Sequence, residues 1–228
     1  MSYLLCIETS TAVCSVALSV KEEVCFERVS FDGPSHAALL GVFVEEALEW
    51  LRREASALVA VAVSSGPGSY TGLRIGVSLA KGLCLGYGIP LVSVPTLELL
   101  ASAVIRRAPA PGALYCPMLD ARRMEVYAAV FDSACQPVRP VAADIVTPAT
   151  YASLLASHTV CFFGDGAAKC KDVITSPRAL FVDDVHPLAR DMAPLAAKLF
   201  RAGKFEDTAY FEPFYLKEFM PTTARNKI

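Results

Sequence analysis

The sequence predicts an α/β protein, and three observations lead to that fold class. An apolar run at residues 58–63 leads into a Gly-rich stretch at residues 64–76, and a helical pattern follows. Further strand-like runs stand close together near the N-terminus, and residues 36–53 have the spacing of an amphipathic helix. Strands that alternate with helices over 228 residues indicate one large or two small α/β domains.

Composition narrows the class of protein. Hydrophobic residues make up 54% of the chain, and the net charge of −2 gives no general attraction for nucleic acid. The eight cysteines include no Cys-x-x-Cys pair and the three histidines are scattered, so neither a disulfide scaffold nor a zinc site is expected. Without a basic leader or a long uncharged apolar run, the chain is expected to be cytoplasmic and to have no membrane contact.

The first half is expected to contain five strands and three helices. The strands are predicted at residues 3–7, 14–20, 24–29, 58–63 and 89–94. The helices are predicted at about 36–53, 73–87 and 96–105, with Ser35, then Ser69 or Thr71, and finally Thr96 as their N-caps. His36, at the start of the first helix, is expected to be a surface or capping residue rather than a ligand.

Residues 106–112 are the clearest linker, because two prolines and a glycine follow two arginines there. We therefore expect an N-terminal domain at 1–107 and a reduced C-terminal domain at 112–228. The second domain is predicted to have strands at 113–119, 125–131, 145–147, 159–163 and 179–182, and helices at 148–157 and 187–201. The last helix is a candidate to pack back on the first domain, and residues 221–228 are expected to be loose. No internal sequence repeat is detected.

The Gly-rich stretch permits more than one interpretation. It lacks the Gly-Lys-Ser/Thr of a Walker A loop, and glycines at 66, 68 and 72 do not fit the dinucleotide-binding pattern. Two alternatives remain. One is an anion-binding turn at a helix N-terminus, and the other is a tight strand-to-helix connection without a ligand.

Two helices carry candidate contact surfaces. The apolar arc of helix 36–53 covers about half of the helical wheel, more than one sheet face requires. Part of this arc either contacts another chain, or the helix is buried between elements of its own domain. The apolar arc consists of Leu39, Leu40, Phe43, Val44, Ala47, Leu48, Trp50 and Leu51. Helix 73–87 carries two rows of small residues, Gly72–Gly76–Ala80–Cys84 and Ser78–Gly82–Gly86. One row is expected to face the sheet and the other a second helix pair, but the residues do not say which.

Residues 65–76 read Ser-Gly-Pro-Gly-Ser-Tyr-Thr-Gly-Leu-Arg-Ile-Gly, with Ile-Glu-Thr-Ser at 7–10 and Leu-Asp-Ala-Arg at 119–122. This pattern resembles the bacterial TsaB (YeaZ) family over about residues 3–130, and again at 164–166 and 213–217. TsaB is a paralogue of TsaD, the transferase that makes N6-threonylcarbamoyladenosine in tRNA. The resemblance implies an ASKHA fold (actin-like, RNase H-like), with mixed sheets flanked by helices and a reduced second domain.

The resemblance also implies two groups of site residues. Residues near an anion or nucleotide would be Glu8, Thr9, Gly66, Gly68, Ser69, Thr71, Asp120 and Arg122. Residues that contact a partner would be Leu39, Phe43, Trp50, Gly76, Ala80, Ser78, Gly82 and Gly86. For the segment at Glu8, a turn whose Thr and Ser satisfy local backbone groups is the alternative. The catalytic paralogue has a His-x-x-x-His pair where this chain has Thr96 and Leu100, so neither a metal nor a catalytic residue is expected.

The resulting hypothesis is a non-catalytic partner of a TsaD homologue in tRNA threonylcarbamoylation. The expected contacts are a homodimer, a TsaD homologue and a TsaE-type ATPase, with tRNA reached only through the complex and with no cofactor. One alternative is an autonomous ASKHA enzyme that transfers phosphoryl or carbamoyl groups. The other is an M22-like metallopeptidase, which the missing His-Glu-x-x-His motif disfavours.

Overall fold

The computed structural model describes residues 1–33 and 35–217 and contains two five-stranded mixed sheets flanked by helices. This is the predicted α/β class with the ASKHA arrangement. Pro34, in the predicted loop before the first helix, and the predicted loose tail at 221–228 lie outside the described residues. In the described part of the chain, no helix is long and apolar enough to cross a lipid bilayer.

The first sheet has the order β3-β2-β1-β4-β5. Strands β1, β2 and β3 are antiparallel neighbours, whereas β4 and β5 run parallel to β1. The strands are β1 (Ser2–Glu8), β2 (Cys14–Val20), β3 (Glu23–Ser30), β4 (Ala57–Gly66) and β5 (Leu91–Pro95). Three helices belong to this half: α1 (His36–Arg53), α2 (Tyr70–Tyr87) and α3 (Thr96–Arg107).

The second sheet repeats the topology of the first. Its order is β10-β9-β6-β7-β8, with β6 antiparallel to β7 and parallel to β9. The strands are β6 (Leu114–Asp120), β7 (Glu125–Phe131), β8 (Pro137–Ile145), β9 (Val160–Phe163) and β10 (Ala179–Val182). The two sheets therefore share one fold although the sequence shows no repeat.

The helices of the second half are shorter, apart from the last. Where the first half has two helices of 18 residues, the second has α4 (Ala152–Ser157) and a 3-10 helix (Ala168–Cys170). The last helix is α5 (Ala189–Arg201), which accommodates Pro194 within it. The second half is therefore reduced mainly in its helices.

Helices α3 and α5 cross between the two halves. Leu97, Leu100 and Val104 of α3 belong to a buried cluster with residues of β6, β7 and β9. Met192 and Ala196 of α5 are instead buried with residues of β1, β2, β4 and β5. The two sheets are thus held together by helices packed on the opposite half, and the linker predicted between the domains is bridged by these contacts.

Several sequence predictions are corrected. The strand predicted at 145–147 is the end of β8, and the helix predicted at 148–157 begins only at Ala152. Ser35 precedes α1, but its side chain makes no capping hydrogen bond, and Thr96 is the first residue of α3 rather than its cap. His36 is buried with an unpartnered Nε2 atom, so it is not the expected surface residue.

Candidate functional site

The Gly-rich turn joins β4 to α2 and packs against two other segments. Gly66 has a φ of +104°, and a Cβ atom there would lie 2.6 Å from the carbonyl oxygen of Phe214. The φ of Gly68 is not in the left-handed region, but a Cβ atom at Gly68 would overlap the carbonyl oxygen of Ser10. The amide of Ser69 donates to that same oxygen over 2.6 Å. Glycine is therefore required for backbone conformation at Gly66 and for close approach at Gly68.

Two amide groups at the start of α2, those of Ser69 and Gly72, have partners within the chain. Of the two predicted N-cap candidates, Ser69 is the N-cap of α2. Its Oγ atom accepts a hydrogen bond from the Gly72 amide over 3.2 Å. The Leu73 amide donates to the Ser69 carbonyl oxygen over 2.9 Å. Thr71 is exposed and does not cap the helix. Because these donors already have partners, the turn resembles a tight connection more than an open anion cradle.

Thr9 fills the space that two glycines of α2 leave open. Its hydroxyl donates to the carbonyl oxygen of Gly72 over 2.8 Å. A Cβ atom at Gly72 or at Gly76 would overlap an oxygen of Thr9. The row that contains Gly72, Gly76 and Ala80 therefore faces inward. Gly76 and Ala80, expected among the partner contacts, are buried within this chain, which corrects that expectation.

Glu8 ends β1 and is fully buried. Its Oε1 atom accepts from the Ser10 amide over 2.6 Å. Burial raises the pKa of Glu8, and hydrogen-bonding groups of Ser10 and Ser64 oppose that rise. The expected anion-proximal residues of this region are brought together, but Glu8 and Thr9 lie in a packed junction rather than on an open surface.

Asp120 and Arg122 belong to a second cluster at the end of β6. Asp120 accepts from the Arg122 amide over 3.0 Å, pairs with Lys169, and donates its own amide to Asp165 over 2.9 Å. Arg122 is exposed and has a φ of +69°, which a non-glycine residue adopts at a cost. The charged turn is thus fixed within the second half of the chain and presents Arg122 to solvent.

The positions that match the paralogue's histidine pair lie in the core. Leu100 is buried among apolar side chains, and Thr96 is buried with an unpartnered hydroxyl. Within residues 1–33 and 35–217, no group of three His, Cys, Asp or Glu side chains is arranged to hold a metal ion.

The second row of small residues faces solvent. Ser78, Gly82 and Gly86 are exposed, and a Cβ atom at Gly82 or Gly86 would have no described atom from another segment within 4 Å. Leu85 lies among them with 82% of its surface exposed. We call Ser78, Gly82, Leu85 and Gly86 the outer face of α2. It is a flat surface of small side chains with one protruding leucine.

Helix α1 exposes less apolar surface to solvent than the width of its apolar arc predicts. Phe43 and Trp50 are half-buried against the core of the first half, and Trp50 packs edge-to-face on Tyr3 at 5.5 Å. Leu39 is also half-buried. Val42, which the arc did not include, is 51% exposed. Most of the apolar arc is therefore covered by its own domain, as in the alternative in which the helix is buried between elements of that domain.

Residues after α5 form a strap that the sequence did not predict. Glu206 pairs with Leu91 at the edge of β5, and its Oε1 atom accepts from the Ser93 hydroxyl. Lys81 of α2 donates to the carbonyl oxygens of Ala209 and Phe211. The only local signal was the family motif at 213–217, because strap contacts of this kind join residues far apart in the chain.

The strap ends on both halves of the chain. The Phe214 amide donates to the Ser65 carbonyl oxygen over 2.7 Å, beside the Gly-rich turn. Lys217 pairs with Glu125 of β7 in the second sheet. Between these points the ring of Tyr215 packs at a tilt against that of Tyr70, with centroids 4.8 Å apart. The strap therefore lies beside the outer face of α2 and joins it to the second half.

Comparison with known proteins identifies a family and several relatives that this chain resembles. The family model for TsaD, tRNA N6-adenosine threonylcarbamoyltransferase, matches residues 33–218. The tRNA threonylcarbamoyladenosine biosynthesis protein TsaB of Escherichia coli is 29% identical over 227 residues, covering 94% of each chain. The TsaB of Bacillus subtilis is 34% identical over 128 residues, covering 56% of this chain and 54% of its own.

The fold has a solved counterpart. The structure of YeaZ from Pseudomonas aeruginosa superimposes with a TM-score of 0.76 at 26% sequence identity. The superposition covers 95% of this chain and all of that one. The similarity therefore extends through both sheets and includes the crossing helices.

Proposed function

Because the chain belongs to the TsaB (YeaZ) family, we propose that it acts in the biosynthesis of threonylcarbamoyladenosine in tRNA as a non-catalytic partner of a TsaD-type transferase. A TsaE-type ATPase would complete the assembly. The names of the relatives support the pathway. The non-catalytic role rests on the chain's own residues.

The observation that carries the proposal is the outer face of α2. Glycine in a helix interior costs about 1 kcal/mol relative to alanine, yet a Cβ atom at Gly82 or Gly86 would meet no other part of the described chain. Such a cost at positions without an intramolecular role favours close approach by another helix. The exposed Leu85 supplies an apolar contact at the same place.

A homodimer fits the same surface. An isologous contact would bring the outer faces of two α2 helices together across a two-fold axis. A TsaD homologue of similar fold would then replace one copy, so the two contacts would exclude each other. With a net charge of −2, this chain supplies little attraction for tRNA, which the complex would bind through its other subunits.

The absence of a catalytic role is supported by two features of the first half. Thr96 and Leu100 stand where the paralogue has its histidine pair, and leucine cannot ligate a metal. In the Gly-rich turn, the amides of Ser69 and Gly72 have partners within the chain, and the turn packs on Thr9 and Ser10. Both features disfavour the alternative of an autonomous ASKHA transferase.

The test is co-purification with the TsaD homologue of the same organism. We expect a stable complex on size-exclusion chromatography, and threonylcarbamoylation of tRNA that requires this chain. The purified chain alone should neither hydrolyse ATP with Mg²⁺ nor modify tRNA. ATP hydrolysis by the chain alone, lost in a variant of its own cleft, would instead favour the enzyme hypothesis. Absence of any complex would refute the partner role.

A further inference from the structure

A cavity of about 520 Å³ lies between the two halves of the chain, and Gly66 of the Gly-rich turn is part of its wall. Five segments line it: the Gly-rich turn, the start of α3, the hairpin from β7 to β8, α5 and the strap. Its volume falls in the range of small-molecule sites, which are usually found between domains. We call it the interdomain cavity.

Most of the cavity wall is apolar. Leu97, Phe131, Val141, Leu195 and Phe214 contribute large apolar side chains, and four prolines add rigid surface. A wall of this kind favours an apolar group of a ligand over water, because burying apolar surface gains about 25 cal/mol per Å².

Three charged side chains interrupt the apolar wall, and one of them, Arg139, is paired with Asp144. Glu98, in the first turn of α3, and Lys198, on α5, both line the cavity. Among the described residues, neither side chain makes a hydrogen bond or an ion pair, and the two charges act on each other only at a distance. Glu98 is half-buried, and its burial raises the pKa of the carboxyl group although Lys198 and Lys204 oppose the rise.

We propose that the interdomain cavity binds a small zwitterion with a large apolar side chain, of the class of the apolar α-amino acids. Its ammonium group would contact Glu98, its carboxylate would contact Lys198, and its side chain would lie against Phe131 and Leu97. One molecule thereby satisfies both charges and covers the apolar wall. An apolar anion or an apolar cation would satisfy only one of the two charges.

The test uses three probes that share a phenyl group. L-phenylalanine carries both charges, 3-phenylpropanoate lacks the ammonium group, and 2-phenylethylamine lacks the carboxylate. In a titration of the 15N-labelled full chain followed by NMR, L-phenylalanine should shift amide signals of Leu97, Ala129 and Val141 in a saturable manner. Each truncated probe should bind about tenfold more weakly, because it loses one charge-assisted hydrogen bond.

Two variants assign the charges. Glu98→Gln should weaken L-phenylalanine and 2-phenylethylamine but leave 3-phenylpropanoate unchanged. Lys198→Met should weaken L-phenylalanine and 3-phenylpropanoate but leave 2-phenylethylamine unchanged. Both side chains are partly exposed, so both variants should fold. Lys204→Met is the matched control, because Lys204 is close enough to influence Glu98 but does not line the cavity.

Three results would overturn the proposal. The first is no saturable shift with L-phenylalanine up to 10 mM, a concentration about tenfold above the Kd of a weak site that binds at about 1 mM. The second is equal binding of the three probes, which would indicate an unspecific apolar surface. The third is binding of L-phenylalanine that neither Glu98→Gln nor Lys198→Met reduces, or shifts confined to residues outside the cavity.

Discussion

The hydroxyl of Thr9 donates a hydrogen bond to the carbonyl oxygen of Gly72 over 2.8 Å, and this contact joins the turn after β1 to the start of α2. Gly76, one helical turn later, leaves room for the same hydroxyl. The inner row of small residues therefore exists for packing within the chain. The outer row at Ser78, Gly82 and Gly86 has no such explanation.

We expect Gly76→Val to destabilise the protein by about 3 kcal/mol or more, because its side chain would overlap Thr9 and force the helix away from β1. Gly82→Ala should instead stabilise the monomer by up to about 1 kcal/mol, through helix propensity alone. Urea unfolding followed by circular dichroism measures both. Equal stability of the two variants would contradict the assignment of the inner row.

Gly82→Trp should give a folded monomer that no longer binds the TsaD homologue. The indole would stand on open surface in the free chain but would hold the two helices apart in a complex. Analytical ultracentrifugation and a pull-down with the TsaD homologue report the two contacts. The control is Gly41→Trp, because a side chain at Gly41 on α1 would also enter open space. Gly33→Trp is not a suitable control, because Gly33 has a positive φ. A Gly82→Trp protein that still dimerises and still binds would refute the proposed surface.

The pH dependence of the protein's stability should show the effect of the buried carboxyl group of Glu8. Its raised pKa means that the folded chain retains a proton that the unfolded chain has released. The stability contributed by the neutral carboxyl group is complete below the ordinary pKa of 4.5 and is lost as the pH rises through the folded-state pKa. Glu8→Gln should therefore gain stability over the wild type between pH 4.5 and neutrality. The exposed Glu23→Gln should follow the wild type, and an equal response of both variants would exclude this role.

The crossing helices are linked by a half-buried ion pair. Arg107 of α3 contacts Asp191 of α5 over 2.6 Å, and Asp191 is only 7% exposed. Arg107→Met should cost about 2 kcal/mol, because it leaves a buried carboxylate with weaker compensation from Arg106. Arg53→Met removes an exposed pair with Glu49 and should cost less than about 0.5 kcal/mol. Chemical denaturation of both variants measures the difference, and equal losses would contradict the proposed link.

Local patterns explain how much of the fold was predicted from the sequence. The exact bounds of β2, α1, β7 and β10 were predicted, because each depends on periodicity and on turn residues within its own segment. Strand β8 was missed over most of its length, and this strand contains Pro137 and Pro140. At the edge of a sheet a proline leaves no required ladder hydrogen bond unmade, and β8 is an edge strand.

The sequence by itself determined the α/β class, the Gly-rich turn, the two rows of small residues and the family. Only the tertiary structure decided which row faces outward, because Thr9 lies 63 residues before its partner Gly72. The same holds for the burial of Glu8, the strap beside α2 and the interdomain cavity, whose walls come from segments spread between Ser65 and Phe214. Periodicity records which residues share a face of one element. What that face meets depends on contacts between distant segments, which no local pattern contains.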